Sequence, residues 1–365
     1  MGRKKAIIGF LGAGGIARSH AYSINSLKYY YDDYPETELA AVCSASESSR
    51  SAFARKYGFA RSCSPEEFGA DRDINTVYIL GPNRVHLEHF KMAMSMPQVE
   101  RIYIEKPVCS GAGEEMEIAA LAAANPSRTV QVGFQYLFSP ALREALAFWK
   151  TGESGRPVHF EIKYYHGDYL KMSYRQKRAT RLTPAPDGGA MADLGSHAVS
   201  MLIAFLGTKL KIAGAVQAGE FSDVPPDSDL FSLITLYDEN SGAAGTVASS
   251  RISSGTADSL WLEIYAEHGA IRYSSETADY FEYFSGKSGM WQKKITGSNY
   301  QHYTSFPSGH VPAGWLRAMV HAHYVFLTGS AGEAVIPGIQ HGLAVQRIVN
   351  ETAEHLRRFR ESKTR

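Results

Sequence analysis

The sequence predicts an α/β chain in two parts, a doubly wound parallel sheet followed by an α+β region built on a large, mainly antiparallel open sheet. Three observations predict it. A glycine loop joins an apolar run to a helical stretch near the start. Short β-branched runs then alternate with helical segments up to about residue 135, and longer extended, aromatic-rich runs begin at Pro157. At 365 residues the chain exceeds one ordinary core. Two domains are therefore expected, 1–135 and 136–365, with the final helix packing back on the first.

The run Ala6-Ile7-Ile8-Gly9-Phe10-Leu11 has the length and unbroken apolarity of a buried parallel strand. It leads into Gly12-Ala13-Gly14-Gly15-Ile16-Ala17, a G-x-G-x-x-A pattern between strand and helix. Gly12 permits a tight turn, Gly14 lets the backbone approach a pyrophosphate, and Ala17 lets the helix lie close on the sheet. The helix N-terminus adds free N–H groups and partial positive charge for the phosphates. A dinucleotide is the expected ligand. The second strand, 39–43, ends in Ser44, with no carboxylate to hold ribose hydroxyls, and Arg50 can pair with a 2′-phosphate. This favours NADP(H); NAD stays open, with Ser44 simply accepting it and Arg50 a solvated helix residue.

The following elements read in order. A helix over 47–57 closes at Gly58, and a third strand, 75–80, ends in Gly81-Pro82. Asn83 can cap the next helix, whose His86 and His89 are expected on its exterior. A fourth strand, 102–104, precedes a helix starting at Ser110, and a fifth spans 129–132. Beyond Pro157, strands are expected at 158–165, 230–237, 244–250, 260–266 and 270–274. Two helices, near 315–328 and 338–358, close the chain.

Two motifs carry chemistry. Arg101-Ile102-Tyr103-Ile104-Glu105-Lys106-Pro107 ends a strand with a carboxylate, an ammonium and a proline. Alone it reads as a surface turn; after a nucleotide loop, Lys106 points into the crevice of the cofactor's reactive ring and can orient a hydroxyl losing hydride. Glu105 can hold Lys106 in place. In Gly188-Gly189-Ala190-Met191-Ala192-Asp193-Leu194-Gly195-Ser196-His197, Asp193 and His197 are four apart on one helix face. His197 can act as a general base, and Asp193 beside it can bind substrate or raise its proton affinity on contact. The alternative is a capping Asp with a hydrogen-bonded core His.

These elements, with Gly133-Phe134-Gln135-Tyr136 and the late segment Gly309-His310-Val311-Pro312-Ala313-Gly314-Trp315, resemble the Gfo/Idh/MocA oxidoreductases over essentially the whole chain. The resemblance implies a Rossmann domain plus an open-sheet domain, with Lys106, Asp193 and His197 as the catalytic set. It implies cofactor contacts from Gly12, Gly14, Gly15, Ile16, Ala17, Ser44 and Arg50. Leu80, Pro82, Asn83, His86, Glu105, Lys106, Pro107 and Gln135 would complete that set, with a cis Lys106–Pro107 bond aiming the lysine. Expected substrate contacts, besides the catalytic set, are Tyr136, His166, Asp168, Tyr174, Arg175 and His310. Tyr174 is as readily a packing residue, Arg175 and Asp168 a surface ion pair, and His310 a loop or second-subunit residue. The family's Trp-Arg pair has its nearest match in Tyr174-Arg175, and the segment 176–187, with Lys177, Arg178 and Arg181, is longer than usual.

The implied reaction is hydride transfer between a secondary hydroxyl or keto carbon of a sugar, polyol or glycoside and the nicotinamide. Rival readings are an NAD-dependent, redox-neutral glycosidase on the same fold and a non-catalytic cofactor-binding protein. Tyr300, Tyr303 and Phe306 hint at a glycoside with an apolar aglycone. A sheet covered by helices on one face would expose β-branched and aromatic residues on the other, so a homodimer or homotetramer is expected through it.

Composition excludes other classes. A formal charge of +1, with no basic cluster interleaved with aromatics, gives no nucleic-acid surface. No apolar run has the length to span a bilayer, and the run after Arg3-Lys4-Lys5 is the glycine-loop strand, not a signal peptide. Cys43, Cys63 and Cys109 form neither a metal-ligand pattern nor an even disulfide set, so no metal and a cytoplasmic setting are expected.

Overall fold

The computed structural model describes residues 5–31, 34–184, 188–296, 313–329 and 335–363. The first half alternates β1 (Ala6–Leu11), α1 (Gly15–Tyr30), β2 (Thr37–Cys43), α2 (Glu47–Tyr57), β3 (Arg61–Cys63), α3 (Pro65–Ala70), β4 (Thr76–Ile79), α4 (His86–Ser95), β5 (Arg101–Ile104), α5 (Ala112–Ala124) and β6 (Thr129–Val132). The strands form one parallel sheet in the order β3-β2-β1-β4-β5-β6. This is the doubly wound arrangement expected. The order reverses between β1 and β4, which opens a crevice at their carboxyl ends. Ile8, Phe10, Val77, Tyr78, Ile102 and Tyr103 are fully buried, as unbroken apolar strands covered on both faces must be. The three-residue edge strand β3 and the helix α3 were not foreseen.

The second half continues with α6 (Pro140–Lys150), β7 (Pro157–Tyr165), α7 (Met172–Lys177), α8 (Ser196–Leu206), β8 (Leu210–Ala218), β9 (Phe231–Asp238), β10 (Ala244–Ser250), β11 (Ser259–Ala266), β12 (Gly269–Ser274), β13 (Tyr280–Ser285), β14 (Met290–Ile295), α9 (Ala313–Thr328) and α10 (Ile339–Lys363). Its eight strands run in the order β14-β13-β12-β11-β7-β10-β9-β8. Every neighbouring pair is antiparallel except β7 and β10. Phe160, Ile162 and Tyr164 of β7, with Leu260, Leu262 and Ile264 of β11, point into the core. On that side α6 packs against β12 and β13, α8 against β7 and α10 against β8.

The opposite face carries aromatic and β-branched residues as expected, among them Tyr165, Thr235, Tyr237, Trp261 and Tyr265. Charged residues are set among them: Lys163 stacks on Trp261, and Arg272 pairs with Glu263 and stacks on Trp291.

The last two helices tie the halves together. α10 contacts α5, β6, α8 and β8, and Gln131 of β6 bridges to Gly338 just before α10. α9 lies against α1 and buries His323 in the first sheet's core. There His20 Nδ1 lies 2.9 Å from His323 Nε2, and His323 Nδ1 lies 3.1 Å from the Tyr78 hydroxyl.

Candidate active site

The glycine loop follows β1 at the switch point. Gly12 has φ +131°, and a side chain there would put Cβ 2.6 Å from the Leu80 carbonyl carbon, so two strand ends meet at bare backbone. A Cβ on Gly14 or Gly15 meets nothing within 4 Å. No side chain caps α1 and its first turn holds no acidic residue, so its leading N–H groups face open space. Ala17 is fully buried between helix and sheet. These features fit a pyrophosphate. Ile16 is half-buried at the start of α1, Leu80 is buried after β4, and Pro82 and Asn83 begin the turn before α4. Gln135 is buried in the turn after β6. At the end of β2, Arg50 donates to the Ser44 carbonyl at 3.1 Å, and no carboxylate occupies position 44.

Lys106 lies just beyond β5, before a cis bond to Pro107. Its ammonium donates to Asp193 Oδ1 at 2.9 Å and to the Asp193 carbonyl at 2.8 Å. Glu105 acts on the main chain, not on the ammonium. Its Oε2 accepts from the Lys106 N–H at 3.1 Å, and its Oε1 lies 2.8 Å from buried His20 Nε2. A Cβ on Gly133 would collide with this carboxylate, which is why a glycine stands there.

Asp193 and His197 do not touch as helix spacing suggested. Residues Met191–Gly195 form a wider π turn before α8, and the Asp193 carboxylate turns toward three cations. Oδ1 accepts from Lys106 and, at 2.6 Å, from Arg181; Oδ2 accepts from Arg251 at 2.8 Å. Burial alone would raise this carboxyl, but Arg181, Lys106 and Arg251 hold it well below the usual range. His197 is packed by Phe134, Tyr136 and Tyr164, with ring centroids 5.9, 5.1 and 5.9 Å away. Burial first and Lys106 second push its proton affinity well below the ordinary value, against a smaller upward pull from Asp193. The imidazole is therefore neutral at neutral pH. Its Nδ1 is buried without a partner, whereas Nε2 is not among the sealed atoms.

The remaining expected residues divide. His166 is buried, accepts from the Asp168 N–H, and is held neutral by burial, with its pKa lowered to about 4. Asp168 is exposed beside it. Tyr136 donates or accepts at 3.0 Å with Tyr164, against His197. Tyr174 packs edge-on to Tyr169. Arg175 is neither a substrate contact nor Asp168's partner. It is buried, forks onto Asp223 at 2.6 and 2.9 Å, and donates to the Tyr169 and Leu170 carbonyls. His86 is not on the helix exterior. It is fully buried, with Nδ1 2.9 Å from the Pro107 carbonyl and Nε2 2.9 Å from the Gly81 carbonyl, so it links the two crevice loops rather than facing a ligand. His310 and the 300–306 aromatics lie outside the described residues.

Sequence reading missed Arg251, fully buried at the end of β10 with its guanidinium over Tyr169. It also missed Asp258, whose Oδ1 accepts from Tyr164 at 3.3 Å. A single charged residue at a strand end was the available signal. A cavity of about 480 Å³ lined by Asn83, Pro107, Cys109, Met191, Asp229 and Arg360 adjoins the cleft without including Lys106, Asp193 or His197. No metal-ligating cluster occurs among the described residues, whose three cysteines are buried and unbonded, and no described helix is long and apolar enough to cross a membrane.

Comparison with known proteins follows the same division. Residues 6–134 match the oxidoreductase family with an NAD-binding Rossmann fold, and 142–272 match the Gfo/Idh/MocA C-terminal domain. Levoglucosan dehydrogenase of Pseudarthrobacter phenanthrenivorans is 24% identical over 304 residues, 74% of each chain. The scyllo-inositol 2-dehydrogenase (NAD(+)) of Bacillus subtilis is 26% identical over 272 residues, 72% of this chain and 71% of that one. A solved structure of levoglucosan dehydrogenase with NADH and levoglucosan superposes with a TM-score of 0.83 at 21% identity, covering 97% of this chain and 98% of the other. The two matched domains together span most of the chain, over the glycine loop, the crevice lysine and the π turn, and the chain belongs to the Gfo/Idh/MocA family of NAD-binding oxidoreductases.

Proposed function

We propose that this chain is an NAD(P)-dependent dehydrogenase of a sugar, polyol or glycoside. The observation that carries the reading is the ammonium of Lys106, fixed on Asp193 at 2.9 Å in the crevice that also receives neutral His197. When bound, the nicotinamide supplies the hydride acceptor at that crevice. His197 Nε2 takes the hydroxyl proton, and Lys106 stabilises negative charge developing on the oxygen. Asp193 anchors Lys106, and Arg181 and Arg251 fix Asp193. Similarity to a levoglucosan dehydrogenase and a scyllo-inositol dehydrogenase supports the substrate class.

The serine and arginine at the end of β2 favour NADP(H) over NAD. One relative is named D-xylose 1-dehydrogenase (NADP(+)) 2. Residues 1–135 are read as the cofactor-binding part, and 136–365 as the part that binds substrate and a second copy of the chain through the open sheet face. Three free thiols favour a cytoplasmic setting.

A panel of monosaccharides, inositols and aryl glycosides, offered with NAD or NADP and followed at the nicotinamide absorbance, tests the reading. Net reduced cofactor is the expected result. Glycoside cleavage without it would instead favour the redox-neutral reaction.

A further inference from the structure

Asp193 is the carboxylate nearest the crevice lysine, and most of its acceptor capacity is taken by three cations. Lys106 and Arg181 hold one oxygen and Arg251 the other. A substrate hydroxyl there meets a carboxylate whose charge is already shared among three charge-assisted bonds. A second carboxylate stands nearby with the opposite character. Asp258, in the loop between β10 and β11, accepts from Tyr164 at Oδ1, and Tyr164 lies against His197. Its Oδ2 has no donor among the described residues and is not sealed from solvent.

The backbone also singles out this residue. Asp258, at φ +50°, is the one described non-glycine residue with positive φ. That conformation is pinned: buried Ser275 donates its hydroxyl to the Asp258 carbonyl at 3.0 Å and accepts from the Leu260 N–H at 2.9 Å. Backbone held in a sparsely populated φ/ψ region by its surroundings clusters at ligand-binding positions. Burial raises the carboxyl to about 6, with Asp193 and Asp168 adding to the rise and Tyr164 and Lys106 opposing it. It is thus an acceptor-only carboxylate at neutral pH.

Building on the functional reading above, we propose that Asp258 is the substrate-binding carboxylate of this site, accepting a hydroxyl of a neutral polyhydroxy substrate, and that Asp193 is kept for positioning Lys106. An acceptor-only carboxylate recognises a neutral hydroxyl and repels a sugar acid or sugar phosphate. The cations of the cleft are already turned to Asp193.

The test compares Asp258→Asn and Asp258→Gly with the wild type on the best neutral substrate of the panel. Both replacements suit positive φ, and glycine relieves it. In the glycine variant KM is expected to rise roughly tenfold or more, the range for losing a hydrogen bond to a charged group, and in the asparagine variant, which keeps a neutral acceptor, severalfold, with kcat changed far less in both. NAD(P)H affinity should stay unchanged and the thermal midpoint equal or higher, an outcome a merely structural residue would not give. Asp193→Asn should lower kcat instead. Wild-type KM in both Asp258 variants overturns the assignment. No turnover of any neutral sugar or polyol by the wild type overturns the functional reading itself.

Discussion

Lys106 and His197 are coupled through charge. The ammonium is a chief reason, after burial, that the imidazole stays unprotonated. Lys106→Ala should therefore lower kcat on the order of 10²–10³, as loss of one fixed charge stabiliser does, while NAD(P)H affinity, seated on the glycine loop, stays close to wild type. Near-normal turnover would remove Lys106 from the chemistry. The pH profile follows from the sign of the His197 shift. A lowered affinity keeps the base-competent form present down to below its ordinary value of 6.5, so oxidation should show no His197-dependent limb between about pH 6.5 and 8. A limb near neutrality that His197→Asn abolishes would contradict this. Lys106, Asp193 and His197 stood out in the sequence because each sits in a short contiguous motif. Arg251 and Asp258 did not, since they reach the site from strand ends more than 50 residues downstream, where sequence shows only an isolated charge between serines or in a turn. Arg175 misled for a related reason: its partner Asp223 lies 48 residues away.

At the element scale, the loop after β1 is defined by backbone, not side chains. Gly12→Ala should abolish measurable NAD(P)H binding in a fluorescence titration and cost about 1–3 kcal/mol of stability in denaturant, because the new Cβ meets Leu80 backbone atoms at positive φ. Wild-type affinity in this variant would show that the turn tolerates a side chain. The unbroken apolar strands and the helix ending at Gly58, with φ +80°, were read with good boundaries because burial and capping are local signals. The elements missed lack such signals. β3 is three residues long, β8 carries a register shift near Gly214, and β14 is exposed along its whole length, so none shows an apolar period. The π turn at Met191–Gly195 was hidden because its residues fit an ordinary helix equally well.

At the scale of the molecule, the open sheet face carries the expectation of self-association. Trp261, with Lys163 stacked on it, stands near the middle of that face. Sedimentation velocity at micromolar concentration should show a dimer or tetramer, and Trp261→Glu should shift it toward monomer. A monomeric wild type would count against the proposal. The fold class was legible from alternation alone. The mixed, ion-paired character of this face was not, because which residues share a face depends on strand order.

The return of α9 across the first sheet has a temporal consequence. Residues 6–134 leave the ribosome before α9, yet His20, Tyr78 and Tyr103 lie against His323, and Ile8 and Phe10 share a core with Val320, Phe326 and Leu327. The nucleotide half is therefore synthesised early and completed late. Until the roughly 180 residues between it and α9 have emerged, one flank of its sheet lacks its covering helix, which leaves apolar surface open to chaperones or to aggregation.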